Sequence, residues 1–169
     1  MRAQFLPRRT ILAFVVLAAG CTPNQQYRPR DAAIEHHPDK SGGYELGYIE
    51  FDEQGDFWDR DQLARAVGLI KQTRRPLLVV YVHGWQNNAY DSLDVDQFHD
   101  VLGKLAQTEW VRELDYHVVV VYLGWRGKQA YDPLLKILSF KNRKDAAVRI
   151  GSSNTITEAI FRVVYEARR

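Results

Sequence analysis

The sequence predicts an α/β fold, and three observations carry that prediction. Two runs, PLLVVYVH (Pro76–His83) and YHVVVVYLGW (Tyr116–Trp125), are apolar without alternation. A strand that is apolar on both faces belongs inside a parallel sheet covered by helices on both sides. Between the runs, DVDQFHDVLGKLAQTEW (residues 94–110) sets Phe98, Leu102 and Leu105 at helical spacing. Strand, loop, helix and strand in that order form a βαβ unit with a right-handed crossover, which defines the α/β class.

The remaining elements follow from local signals. YELGYIEF (Tyr44–Phe51) is rich in β-formers, and DEQG with DFW after it predicts a hairpin turning near Gln54-Gly55. Asp59 or Asp61 caps a helix through LARAVGLIKQ, with Leu63, Val67 and Ile70 on one face. Arg74-Arg75-Pro76 closes it, because the residue before a proline resists the helical region. Residues 126–149 are mixed and basic and predict a short helix with loops over the edge of the sheet. In NTITEAIFRVVYEARR, Thr155 with Glu158 three residues later forms a capping box, and Ile156, Ile160, Val163 and Val164 form a stripe.

A chain of 169 residues suits one domain of ordinary size, and 46% hydrophobic residues are enough for a packed core and exclude a disordered chain. The formal charge of +2 rests on the N-terminus, where residues 1–20 hold Arg2, Arg8 and Arg9 and no acid. Beyond them, 20 basic residues face 21 acidic ones, so a nucleic-acid partner is set aside. No internal repeat is visible.

MRAQFLPRR is a basic n-region and TILAFVVLAAG a short apolar h-region, which together form a signal peptide over residues 1–20. LAAGC resembles a bacterial lipobox, which implies lipidation of Cys21, anchorage to membrane lipid, and export to the cell envelope. Thr22, where inner-membrane retention usually shows Asp, favours the outer membrane facing the periplasm. Cys21 is the single cysteine and has no intrachain disulfide partner. Residues 21–43 are polar, hold three prolines and end in Gly-Gly, and are expected to be a tether ahead of a domain over 44–169. His36 and His37 have no third ligand at a useful spacing, so no metal site and no cofactor are assigned.

The run Leu77–Val82 ends on His83-Gly84-Trp85, followed by amide side chains. Strand C-termini are where α/β proteins keep chemistry. VVYVHGWQNN, VVVVYLGWRG and LSFKNRKDAAVRIG resemble the N-terminal part of bacterial α/β-hydrolase-fold lipoproteins of esterase or lipase type, over about residues 44–169. The resemblance implies an incomplete sheet with an N-terminal hairpin and two buried parallel strands. It also implies an oxyanion corner in which Gly84 shapes the turn and the Trp85 N–H is the donor. Such a donor is worth roughly 3 kcal/mol to a tetrahedral intermediate. Trp125 and Arg126 are candidates for the pocket rim, or simply pack.

No Gly-x-Ser-x-Gly occurs. GSSNT (Gly151–Thr155) is the nearest mimic, but Ser153 lacks the apolar strand an elbow needs. None of the histidines offers a base beside it: His36 and His37 lie in the tether, His83 on the corner, His99 in a helix and His117 at a strand start. GWRGK (Gly124–Lys128) lacks the Walker spacing. The expectation is therefore the N-terminal portion of a serine hydrolase acting on an ester-type small molecule. This chain would be inactive alone and would lack the C-terminal half of the domain. The alternative is a non-catalytic binding or scaffold lipoprotein. In the family's sheet the strand that leads into the elbow would flank Leu77–Val82, which otherwise stands as an apolar edge.

Overall fold

The computed structural model describes residues 25–39, 43–84, 87–90, 92–126 and 133–169, and the side chains of 92–94, 133–140 and 142 are outside that description. The stretch expected as a signal peptide, Cys21 and Trp85 therefore lie outside the described residues. A 3-10 turn (Arg30–Ala33) leads into β1 (Ile34–His37) and β2 (Tyr44–Phe51). Then follow α1 (Arg60–Gln72), β3 (Pro76–Val82), α2 (Ser92–Ala106), α3 (Glu109–Glu113), β4 (His117–Trp125), α4 (Pro133–Gly151) and α5 (Asn154–Ala167).

The four strands form one mixed sheet in the order β1-β2-β4-β3, which makes the fold α/β. β4 is parallel to β2 on one side, with Tyr44 opposite Val118, and parallel to β3 on the other, with Pro76 opposite His117. β4 is central and buried from Val118 to Trp125, as its unbroken apolar run requires. β3 carries the same kind of run but pairs with β4 alone among the described residues, and it is half-exposed along its length.

Helices cover both faces. On one, Ile49, Val119, Val121 and Leu123 meet Ile70 of α1 and Val163 of α5. On the other, Tyr48, Val120 and Tyr122 meet Phe98 and Leu102 of α2 and Val111 of α3. The chain steps from β2 past β4 to β3 through α1, then back to β4 through α2. Two crossovers of one hand in opposite directions must place their helices on opposite faces, and the two separate cores reflect that.

Several expectations are corrected. The turn at Gln54-Gly55 forms, with Gly55 at φ 90° and Asp52 Oδ1 accepting from the N–H groups of Gln54 and Asp56. No second hairpin strand follows it, since Phe57 meets Phe51 through one isolated bridge. The antiparallel partner of β2 is instead β1, inside the stretch expected as a tether. Residues 126–149 are not mostly loop, because α4 runs for 19 residues. The last helix is capped by Ser153, whose Oγ accepts from the Ile156 N–H at 3.2 Å, rather than by Thr155. Glu158 reaches across to Arg60 Nη2 at 2.5 Å instead of closing a capping box.

What fastens the N-terminal segment is a buried polar network with no local sequence signature. Glu50, on β2, accepts from the N–H of Tyr27 at 2.8 Å and of Arg28 at 2.7 Å. Gln62, fully buried on α1, accepts from the Glu50 N–H at 2.8 Å and donates to the Arg28 carbonyl at 2.7 Å. Burial still pushes the Glu50 carboxyl up, although the Tyr27, Arg28 and Gln62 donors hold it back. Removing one member strands the others without water, so Glu50→Ala should cost about 2–4 kcal/mol. It should also release residues 25–37, measured as faster amide hydrogen exchange there than in β4. Equal exchange in both variants would show that the network does not hold this segment.

Candidate functional site

The chain leaves β3 and β4 toward opposite faces: α2 packs against the Tyr122 face, and α4 contributes Ala146 and Ile150 to the Leu123 face. Neighbouring parallel strands whose connections part in this way leave a crevice outside their C-terminal ends, the usual ligand position in open α/β sheets. Val82 lies opposite Leu123 in the last ladder pair, so His83, Gly84, Trp125 and Arg126 follow the strands at that end of the sheet.

His83 is buried at 3% exposure and ties the two strand ends together. Its Nε2 accepts from the Trp125 N–H at 2.9 Å, so the proton of the neutral ring sits on Nδ1 and is donated to the Gly84 carbonyl at 2.9 Å. The Trp125 indole N–H returns a bond to the His83 carbonyl at 3.1 Å. The two rings stack at 5.5 Å and 6°. Burial pushes the imidazole down to about 4. A proton on Nε2 would also face the Trp125 N–H, so this histidine is a strut and takes no part as a base. Trp125 itself is buried and serves as the other half of the strut rather than as an open pocket floor.

Gly84 is exposed, and a Cβ there would meet nothing within 4 Å. A close packing contact occurs at Gly124. A Cβ on Gly124 would lie 3.2 Å from the Ala89 Cβ and 3.3 Å from the Glu50 Cγ. The loop after β3 is therefore pressed against β4 from the far side of the turn. The turn closes through the Asn87 N–H on the Gly84 carbonyl at 3.2 Å, and buried Asn88 accepts from the Tyr90 N–H at 2.8 Å. Gly84 stands at the mouth with its backbone accessible.

Arg126 is not free to rim a pocket. Its Nη1 and that of Arg143 each lie 2.9 Å from Glu53 Oε1, and Arg143 also donates to the Arg126 carbonyl at 2.9 Å. Partial burial raises the Glu53 carboxyl, but the Arg143 hydrogen bond and the two guanidinium charges outweigh it and hold the group below the usual range. Sequence reading missed Glu53, Glu50 and Gln62, because pairings across dozens of residues leave no periodic trace.

The remaining candidates do not join this corner. Ser153 spends its hydroxyl on the α5 cap and packs against the Gly55 turn, where a glycine Cβ would sit 2.9 Å from its own Cβ. His117 is exposed at the start of β4, the end of the strand away from the crevice. His99 sits on α2 near β1, where Tyr44 Oη is 2.6 Å from its Nδ1. Among the described residues no serine and histidine meet.

No family model matches this chain, and neither does any curated protein or solved structure. The corner must be read from its own geometry.

His83 also makes stability depend on pH. Its folded value of about 4 lies below the unfolded 6.5, so the unfolded chain takes up the proton first as pH falls. The His83 contribution is fully present above pH 6.5 and is lost progressively toward pH 4, by about 3 kcal/mol. Denaturant unfolding across that range should show this loss, and His83→Gln should flatten it. An equal slope in the variant would assign the loss to other groups.

Proposed function

We propose that the corner outside β3 and β4 is the oxyanion-binding half of an ester-hydrolysis site of α/β-hydrolase type. On this reading the chain is exported, anchored to membrane lipid through Cys21, and completed by a nucleophile, base and acid from further protein. The observation that carries the reading is the switch point. Adjacent strands end together there, a neutral strut holds them, and an exposed glycine leaves the backbone open to a small ligand. In ester cleavage through an acyl-serine, the carbonyl oxygen gains negative charge as the tetrahedral intermediate forms. An N–H fixed beside that oxygen needs no reorganisation at the moment of reaction. His83 and Trp125 supply the fixing, and the N–H after Gly84 supplies the donor. Among the described residues no helix is long and apolar enough to cross a membrane.

One observation favours a second reading, a binding or scaffold module without catalysis. β3 is apolar, half-exposed and unpaired on one side within the described sheet. A strand from a partner would complete it.

Purified as 169 residues, the chain should not hydrolyse p-nitrophenyl butyrate above buffer, and Ser153→Ala should change nothing. Sequencing beyond codon 169 should reveal an apolar strand, Gly-x-Ser-x-Gly, then a late acid and histidine. Trp85→Pro in that longer product removes the donor and should lower kcat by about 10²–10³-fold. A stop codon with no such code in any frame would overturn the hydrolase reading in favour of the binding module.

A further inference from the structure

A second cluster of chemistry-bearing side chains lies at the other end of the sheet, where β2 begins beside β1. In a strand, residues two apart share a face. Glu35 and His37 therefore point together toward α2, while His36 points the other way and pairs with Glu45. His99, on α2, turns its Nε2 to the same place. Glu35 Oε2 lies 3.1 Å from His37 Nε2 and 3.5 Å from His99 Nε2, and the three ligand atoms all fall within 4.8 Å of one another.

From this we infer a site for one divalent transition-metal ion of the Zn²⁺ class, held by Glu35, His37 and His99 with one position open to solvent. An ion with bonds of 2.0–2.1 Å in tetrahedral geometry sets its ligand atoms about 3.3 Å apart, and the two carboxylate-to-imidazole distances bracket that value. At 3.5 Å the His99 contact is too long for a good hydrogen bond, so the carboxylate oxygen does not satisfy both imidazoles by itself. The supporting shell is in place. The Tyr44 hydroxyl lies 2.6 Å from His99 Nδ1, which orients the ring and keeps Nε2 as the ligand atom. The His37 ring stacks on Tyr44 at 4.5 Å and 14°. Arg28 Nη1 holds Glu35 Oε1 at 2.7 Å and leaves Oε2 turned to the imidazoles. All three ligands are part-exposed, 22% for Glu35, 36% for His37 and 22% for His99, so an ion has an entry path. Two imidazoles and one carboxylate with an open fourth position suit Zn²⁺ or Co²⁺ rather than Mg²⁺ or Ca²⁺, which prefer oxygen. Such an ion would clamp β1, an edge strand, to α2 across the sheet.

The full chain, without a histidine tag and stripped by a chelator, is titrated with CoCl2 and, separately, with ZnSO4. One equivalent of Co²⁺ should bind with the visible absorption of a four-coordinate site, and Zn²⁺ should displace it and raise the thermal midpoint. His99→Gln and His37→Ala should each weaken binding at least about tenfold, and Tyr44→Phe about tenfold. His36→Ala should leave binding unchanged. Absence of saturable Co²⁺ binding would overturn the inference. So would binding that survives both ligand variants, or binding lost in His36→Ala alone. Circular dichroism of the stripped variants separates loss of the site from loss of the fold.

Discussion

The hydrogen bond from the Trp125 N–H to His83 Nε2 is the constraint on which the crevice depends. Parallel strands are stitched by slanted backbone bonds that end where the ladder ends. Past Val82 and Leu123 the two chains diverge to opposite faces, and nothing in the ladder holds them together. A buried imidazole spans that gap, accepting from one strand and donating to the turn of the other, while the indole returns a bond and stacks on the ring. Because the ring must be neutral to do this, its chemistry as a base is given up to its role as a strut.

Around that strut the polar groups are paired from both sides. Glu50 takes the N-terminal segment by its backbone N–H groups, and Arg28 from that segment reaches the Ala89 carbonyl at 3.0 Å, bracing the loop that follows β3. Glu53 gathers Arg126 and Arg143 on the side of α4. Two anchored carboxylates thus brace this end of the sheet, where Gly84 is exposed. Such an arrangement can orient and stabilise a small polar group. Among the described residues the nearest imidazole is committed as the strut, and Ser153 caps a helix.

The two long apolar strands, the α1 cap at Asp59 and the α2 stripe through Phe98 and Leu102 were all legible in the sequence, because each rests on local spacing. The core of α5 was legible in part: Ile156 and Val163 are buried, but Ala159 lines that face while Ile160 and Val164 are exposed. The strand at Ile34–His37 was not legible. It is four residues long, lies in a polar stretch, and owes its place to Glu50 and Gln62 far along the chain. Misreading it as a tether also hid the Glu35–His37 pair, whose shared face follows only once the segment is a strand. At the corner, the close packing of Gly124 against Ala89 and Glu50 was not legible, because it depends on residues far apart in the chain.

The most direct measurement is nitrogen-15 NMR of the His83 side chain across the pH range. The account predicts a single neutral tautomer with the proton on Nδ1 at pH 7, Nε2 shifted as an acceptor, and protonation only near pH 4. A ring that titrates near 6.5, or that carries its proton on Nε2, would contradict it. His83 would then be free to act as a base, and the two strand ends would need another lock.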